Sequence, residues 1–346
     1  MRNVLICVFV LAGQVALPLG GNAAVPLRDL YVTGQSEAKP ESKAEPGIMH
    51  PLPLSQGEVL TYDIGFSKFF LSGTVGELKL SVGTAPAGSN APTKSAEQPL
   101  LQLVDDPEPG PASRGFDGKQ KDADYRPGNS DGQTAHPDPI RFEAETVSKG
   151  FVTWLFDLRV DDKYESIVDP QDLGLIRSTK TVEEGNKHRQ QETVVDRSSG
   201  VITYSDRDLN AAAPPANVKK TNSPVWIQDL LSAVYFLRTR ELKENTRLTV
   251  PVTDKGEIHN IDVVVGKREQ VEVGAGKFAA LPVEVMVFDG KYIKRTGQLL
   301  IWFTDDGRHL PVKARIKSAG ATATIKLAHI QSSGVSAAGD GPKGGN

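Results

Sequence analysis

Apolar and polar residues alternate along "EVLTYDIGF" (58–66) and again along "GTVGELKLSVG" (73–83), where Val75, Leu78 and Leu80 hold apolar positions. A period of two is the mark of a half-buried β-strand. The alternation stops after Gly83 and returns at "IRFEAETVSKGFVTWLFDLRVDDKYESIVD" (140–169), and from there strand follows turn to about residue 331. Turn signals fall at Asp161-Asp162, Asp169-Pro170, Ser199-Gly200, Lys255-Gly256, Asp306-Gly307 and Ala319-Gly320, among others. Strand segments of roughly 8–12 residues predict an all-β, mainly antiparallel fold, a curved sheet or barrel-like meander.

One stretch breaks this rhythm. In "NSPVWIQDLLSAVYFLRTREL" (222–242), Trp226, Leu230, Val234 and Leu237 recur at helical spacing, and Ile227, Leu231 and Tyr235 form a second stripe. Ser223 suits an N-cap and Pro224 the first helical position, where the missing N–H costs nothing. So wide an apolar face predicts one buried or capping α-helix across the sheet.

The segment "IWFTDDGRHLPVKARI" (301–316) crowds Asp305, Asp306, Arg308 and His309 between two apolar runs. Leu299, Ile301 and Phe303 alternate before the turn, and Leu310, Val312, Ala314 and Ile316 after it. Two one-sided strands joined by Asp-Gly predict a hairpin, with Gly307 at positive φ. Pro311 then belongs on an edge or at a bulge, having no N–H to give a ladder. Asp305, Asp306, Arg308 and Pro311 are accordingly read as a structural motif.

Hydrophobic residues make up 38% of the 346, below the usual ~45–50%, although the alternating segments are richer than that. The deficit concentrates in residues 84–139, dominated by Pro, Gly, Ser, Asp, Lys and Gln, a composition that predicts a disordered insert between two strands. Residues 1–24 join a basic start, an apolar run and a small-residue end, the pattern of a secretory signal peptide. Residues 25–55 read as an N-terminal arm, 56–331 as a single β-rich domain carrying the insert, and 332–346 as a disordered Gly-rich tail.

The lone cysteine, Cys7, lies within the signal, so the mature chain is expected to have no disulfide and no thiolate chemistry. Export without disulfides points to a periplasmic or outer-membrane-associated protein with no transmembrane helix in the mature chain. A net charge of -3 favours no nucleic acid as a partner.

Motifs for chemistry are scarce. "VGAGKF" (273–278) has Val271 where a phosphate loop needs Gly, and Phe278 where it needs Ser or Thr. The six histidines are scattered singly, which predicts no metal site. No G-x-S-x-G elbow occurs. Paired acids such as Asp161-Asp162 point to opposite faces if they lie on strands and then make no dyad.

Several of these stretches together resemble the bacterial domain-of-unknown-function family 3108, which comprises exported envelope proteins. The resemblance is carried by "GEVLTY" (57–62), Ser166 to Asp169, "DLLSAVYFLR" (229–238), "GKF" (276–278) and "WFTDDGRHLPV" (302–312). It implies a barrel-like antiparallel fold in the cell envelope and supplies no reaction.

The residues favour a non-catalytic binding or carrier module, without cofactor, for a hydrophobic, lipid-like ligand. Trp226, Tyr235 and Trp302 are candidate liners of its cavity, since aromatic rings offer area and one polar handle. The competing reading of these three is plain core. An envelope scaffold with a protein partner is the second functional reading. An envelope hydrolase, with Asp229, Asp305, Asp306, Arg308 and His309 converging at one rim, is the third.

Overall fold

The computed structural model describes residues 48, 51–69, 71–85, 137–149, 160–184, 187–211, 217–288, 297–318 and 320–332. The stretch read as a signal peptide, most of the N-terminal arm, most of the insert and nearly all of the tail lie outside them. Contacts divide the chain into two units, 1–90 with 138–346, and 91–137; all that follows concerns the first.

Among the described residues, fifteen strands follow one another. They are β1 (Val59–Lys68), β2 (Leu71–Thr84), β3 (Ile140–Ser148), β4 (Asp161–Val168), β5 (Leu175–Glu184), β6 (Lys187–Asp196), β7 (Val201–Asp208) and β8 (Asn217–Asn222) in the first half. After the helix α1 (Leu230–Arg238) come β9 (Arg247–Asp254), β10 (Glu257–Val265), β11 (Glu269–Val273), β12 (Gly276–Val285), β13 (Gly297–Thr304), β14 (Pro311–Ser318) and β15 (Ala321–Gln331).

Pairing is antiparallel in the order β8-β7-β6-β5-β4-β3-β2-β1-β15-β14-β13-β12-β10-β9, with β11 on β12 beside this path. The two halves of the chain are thus each a meander, joined where β1 meets β15. The all-β, mainly antiparallel class expected from alternation is what the chain adopts, as a curved sheet that among the described residues does not close through strand ladders.

The gap is bridged by the segment ahead of the helix. Ile227 accepts from the Leu175 N–H, while Gln228 donates to Pro251 and accepts from Thr253, a parallel bridge onto β9. At the other edge, Thr221 Oγ1 donates to the Gly256 carbonyl at 2.8 Å. Gly256 sits in the Lys255-Gly256 turn, where both residues have positive φ, the geometry of the tight hairpin turns that match strand twist.

The helix starts later than its periodicity suggests. Its N-cap is Asp229, not Ser223, because the backbone of 227–228 is committed to β5 and β9 and cannot coil. Asp229 accepts from the Ser232 N–H at 2.7 Å while the Ser232 hydroxyl accepts from the Asp229 N–H at 2.9 Å, a closed capping box. Leu231, Tyr235, Phe236 and Leu237 are buried, so the helix is part of the core. No helix among the described residues is long and apolar enough to cross a membrane.

One further expectation is revised. Asp161 and Asp162 are not a turn but the first residues of β4, one exposed and one buried, as alternation requires. At the end of the N-terminal arm, Ile48, Leu52 and Leu54 pack against the core. Where the insert leaves and rejoins, Thr84 pairs with Ile140 and Ala85 donates to the Pro139 carbonyl.

Candidate functional site

Beneath the N-terminal half of the helix the sheet carries small residues. Ala144 on β3 and Ala314 on β14 face Leu230, Leu231 and Val234, and the space between them is a half-open cavity of about 150 Å³. Tyr62, Ile64, Leu78, Leu80, Ile301, Pro311 and Ile325 complete an apolar wall. Beneath the C-terminal half, by contrast, large side chains fill the space, with Tyr235 stacked on Phe142 at 3.9 Å between ring centroids.

Asp162, Lys163, Lys180, Lys313, Thr146 and Tyr164 also belong to the cavity's lining. Burial pushes the Asp162 carboxyl above its ordinary range, and the Glu183 N–H and Lys180 draw it only part of the way back. Tyr62 stays a neutral phenol, raised by burial and then by Tyr235, and donates to the Pro311 carbonyl at 2.8 Å. A second, small cavity of about 20 Å³ adjoins the first, sharing Tyr164, Lys180 and Leu230 and adding Ser178, Gln191, Thr193, Tyr204, Thr253, Asp254 and Lys255.

Trp226, Tyr235 and Trp302 do not line the apolar cavity. Trp226 is half-buried and packs on Phe236 at 6.1 Å. Tyr235 is 1% exposed in its stack with Phe142. Trp302 lies on the face of β13 opposite Ile301, its indole N–H donating to Glu269 and its ring covered by Lys313 at 4.5 Å and Arg315 at 5.2 Å. The periodicity that selected these rings reports burial, and a ring can be buried without facing a void.

The five residues considered for hydrolysis are not brought together. Asp229 caps one end of the helix, where it accepts from Ser166 Oγ at 2.6 Å, and the turn docks at the other end, about 13 Å away along the axis. There His309 Nδ1 lies 3.0 Å from the Arg238 carbonyl and so carries the hydrogen. Asp305 pairs with Arg268 at 3.0 Å. Asp306 accepts from Thr304 Oγ1 at 2.7 Å, from the Arg308 N–H at 3.0 Å and from the Arg308 guanidinium. Partial burial pushes its carboxyl up, but these bonds outweigh burial and leave it below the ordinary range.

The turn itself is wider than an Asp-Gly hairpin. The Thr304 N–H donates to the Leu310 carbonyl across it while the Leu310 N–H donates to the Thr304 hydroxyl, Gly307 is not among the residues at positive φ, and His309 takes that conformation instead at 43°. Pro311 does sit at a bulge, opposite Phe303 where the β13–β14 register shifts.

Sequence reasoning missed a buried ion pair. Arg238 is 0% exposed and donates to both oxygens of Glu58 at 2.6 and 3.0 Å, to the Pro53 carbonyl and to the Arg308 carbonyl. Its signal was an arginine closing an otherwise apolar helix. The partner, 180 positions away, leaves no local pattern.

The family model described as "Protein of unknown function (DUF3108)" matches residues 129–328. It takes in the motifs from Ser166 to Val312, while "GEVLTY" lies ahead of it. Among solved structures, a β-barrel-like protein of domain-of-unknown-function family DUF1849 from Brucella abortus is similar, with 9% identity and a TM-score of 0.46 over 80% of this chain and 98% of that one. No curated protein matches the sequence.

Proposed function

The chain belongs to the DUF3108 family, which brings no reaction with it, and from the site itself we propose that it is a non-catalytic module that binds a hydrophobic, lipid-like molecule. The observation that carries this reading is the apolar cavity under the helix, a volume that the fold holds open with alanines on β3 and β14. A cavity of about 150 Å³ accepts a group of benzene size when its wall is apolar. A single chain entering from the open side would pack against this apolar wall.

The same proposal takes the chain to be exported, on the strength of residues 1–24. N-terminal sequencing of the purified protein should find Ala24 or Val25 first, and Met1 retained on the exported protein would contradict it.

Ala144→Leu tests the binding reading. Filling the cavity should raise stability by about 0.5–2 kcal/mol, seen as a melting increase of several degrees. The affinity for an environment-sensitive apolar dye should fall at least about tenfold with it. A variant that melts higher yet binds the dye as well as wild type would show that the dye sits elsewhere and would remove the proposal.

A further inference from the structure

The small polar cavity beside the apolar one contains two donors with nothing to donate to. Gln191 is 6% exposed and its Nε2 has no hydrogen-bond partner; Thr253 is 3% exposed and its Oγ1 has none either. Both line the same cavity of about 20 Å³. Buried polar groups left unpaired are uncommon in native proteins and expensive, so two in one cavity point to an acceptor that completes them. The cavity exceeds the ~10–15 Å³ that a water needs, and holds little more than one or two oxygen atoms. That is enough for a carboxylate and too little for a sugar.

Charge sets the sign of that acceptor. The polar cavity has Lys180 and Lys255 against Asp254, and Asp162 is the acid of the apolar cavity beside Lys180. Burial further disfavours the charged form of Asp162. Lys180, 6% exposed, belongs to both linings and stands where a chain in one cavity would meet a head in the other.

We infer that the ligand is a single-chain carboxylate amphiphile, its head held by Lys180, Gln191 and Thr253 and its chain in the apolar cavity. This rests on the binding reading above and adds the headgroup.

The test compares dodecanoate, dodecanol and dodecylammonium by calorimetry on the full chain. Dodecanoate should bind at least about tenfold tighter than dodecanol, as charge-assisted bonds to a buried site provide, and dodecylammonium should be the weakest. Gln191→Leu, Thr253→Val and Lys180→Met should each bring dodecanoate toward the dodecanol level, weakening dodecanoate severalfold more than dodecanol. The first two nearly keep shape, so the test survives if the lysine variant fails to fold. Equal affinity for dodecanoate and dodecanol would mean that water alone fills the polar cavity, and it would overturn the headgroup while leaving the binding reading in place. Tighter binding of dodecylammonium would overturn the headgroup too. Binding of none of the three would overturn the binding reading as well.

Discussion

Arg238 shows at the scale of one residue how this fold is tied together. A guanidinium at 0% exposure would be ruinous alone, and it is tolerated because Glu58 meets it with both oxygens and two carbonyls take further donors. Tyr235 lies under the cation at 5.5 Å. The bonds connect the residue just ahead of strand β1, the end of the N-terminal arm, the helix C-terminus and the 305–310 turn. Arg238→Met should cost about 3–5 kcal/mol by urea denaturation, because it strands the Glu58 carboxylate. Glu58→Leu with Arg238→Met should recover much of that loss, giving a coupling above about 1 kcal/mol in the double-mutant cycle. Additive losses would show that the pair is not coupled. At this scale the sequence was readable only in part. The oxygens of Asp306 do serve a turn, as the charged cluster suggested, whereas the positive φ belongs to His309 and not Gly307, since a wider turn placed the strained position two residues later.

The helix is the element where local pattern and tertiary structure disagree most usefully. Its apolar stripes were legible, and so was its burial. Its start was not, because Gln228 pairs with a strand that lies 24 positions ahead in sequence, and no local signal announces a parallel bridge. The cap that replaces the expected one is Asp229, 1% exposed. Burial pushes its carboxyl up, against bonds from Ser166, Ser232 and Ser178. An acid with its folded value raised binds its proton more readily in the native state, so its contribution favours folding at acid pH and is lost as pH rises through the raised value. Asp229→Asn removes that dependence. Wild-type stability measured against Asp229→Asn should therefore decline from below pH 4 toward neutrality, as read by urea midpoints across the range. A difference that grows in favour of wild type with rising pH would contradict the assigned direction. The strands were the best-read elements, since one-sided burial enforces a period of two wherever a sheet has one face inward.

At the scale of the whole molecule, two meanders meet along β1 and β15 and the helix lies across their inner face. The antiparallel class followed from alternation and turn spacing, while the order of pairing depended on contacts between residues 59 and 331 that no local pattern encodes. The cavity was equally hidden. It arises because alanines at 144 and 314, on strands far apart in sequence, come to lie beneath one half of a helix, and aromatic residues chosen for area went to the other half or the opposite face. The proposed binding function rests on that space. Native mass spectrometry of the full chain, purified gently from the cells that make it, tests this most directly. The expected result is a stoichiometric hydrophobic adduct on the wild type that is lost from Ala144→Leu. A wild-type mass with no adduct, or an adduct retained by the filled variant, would contradict the assignment of the cavity as a ligand site.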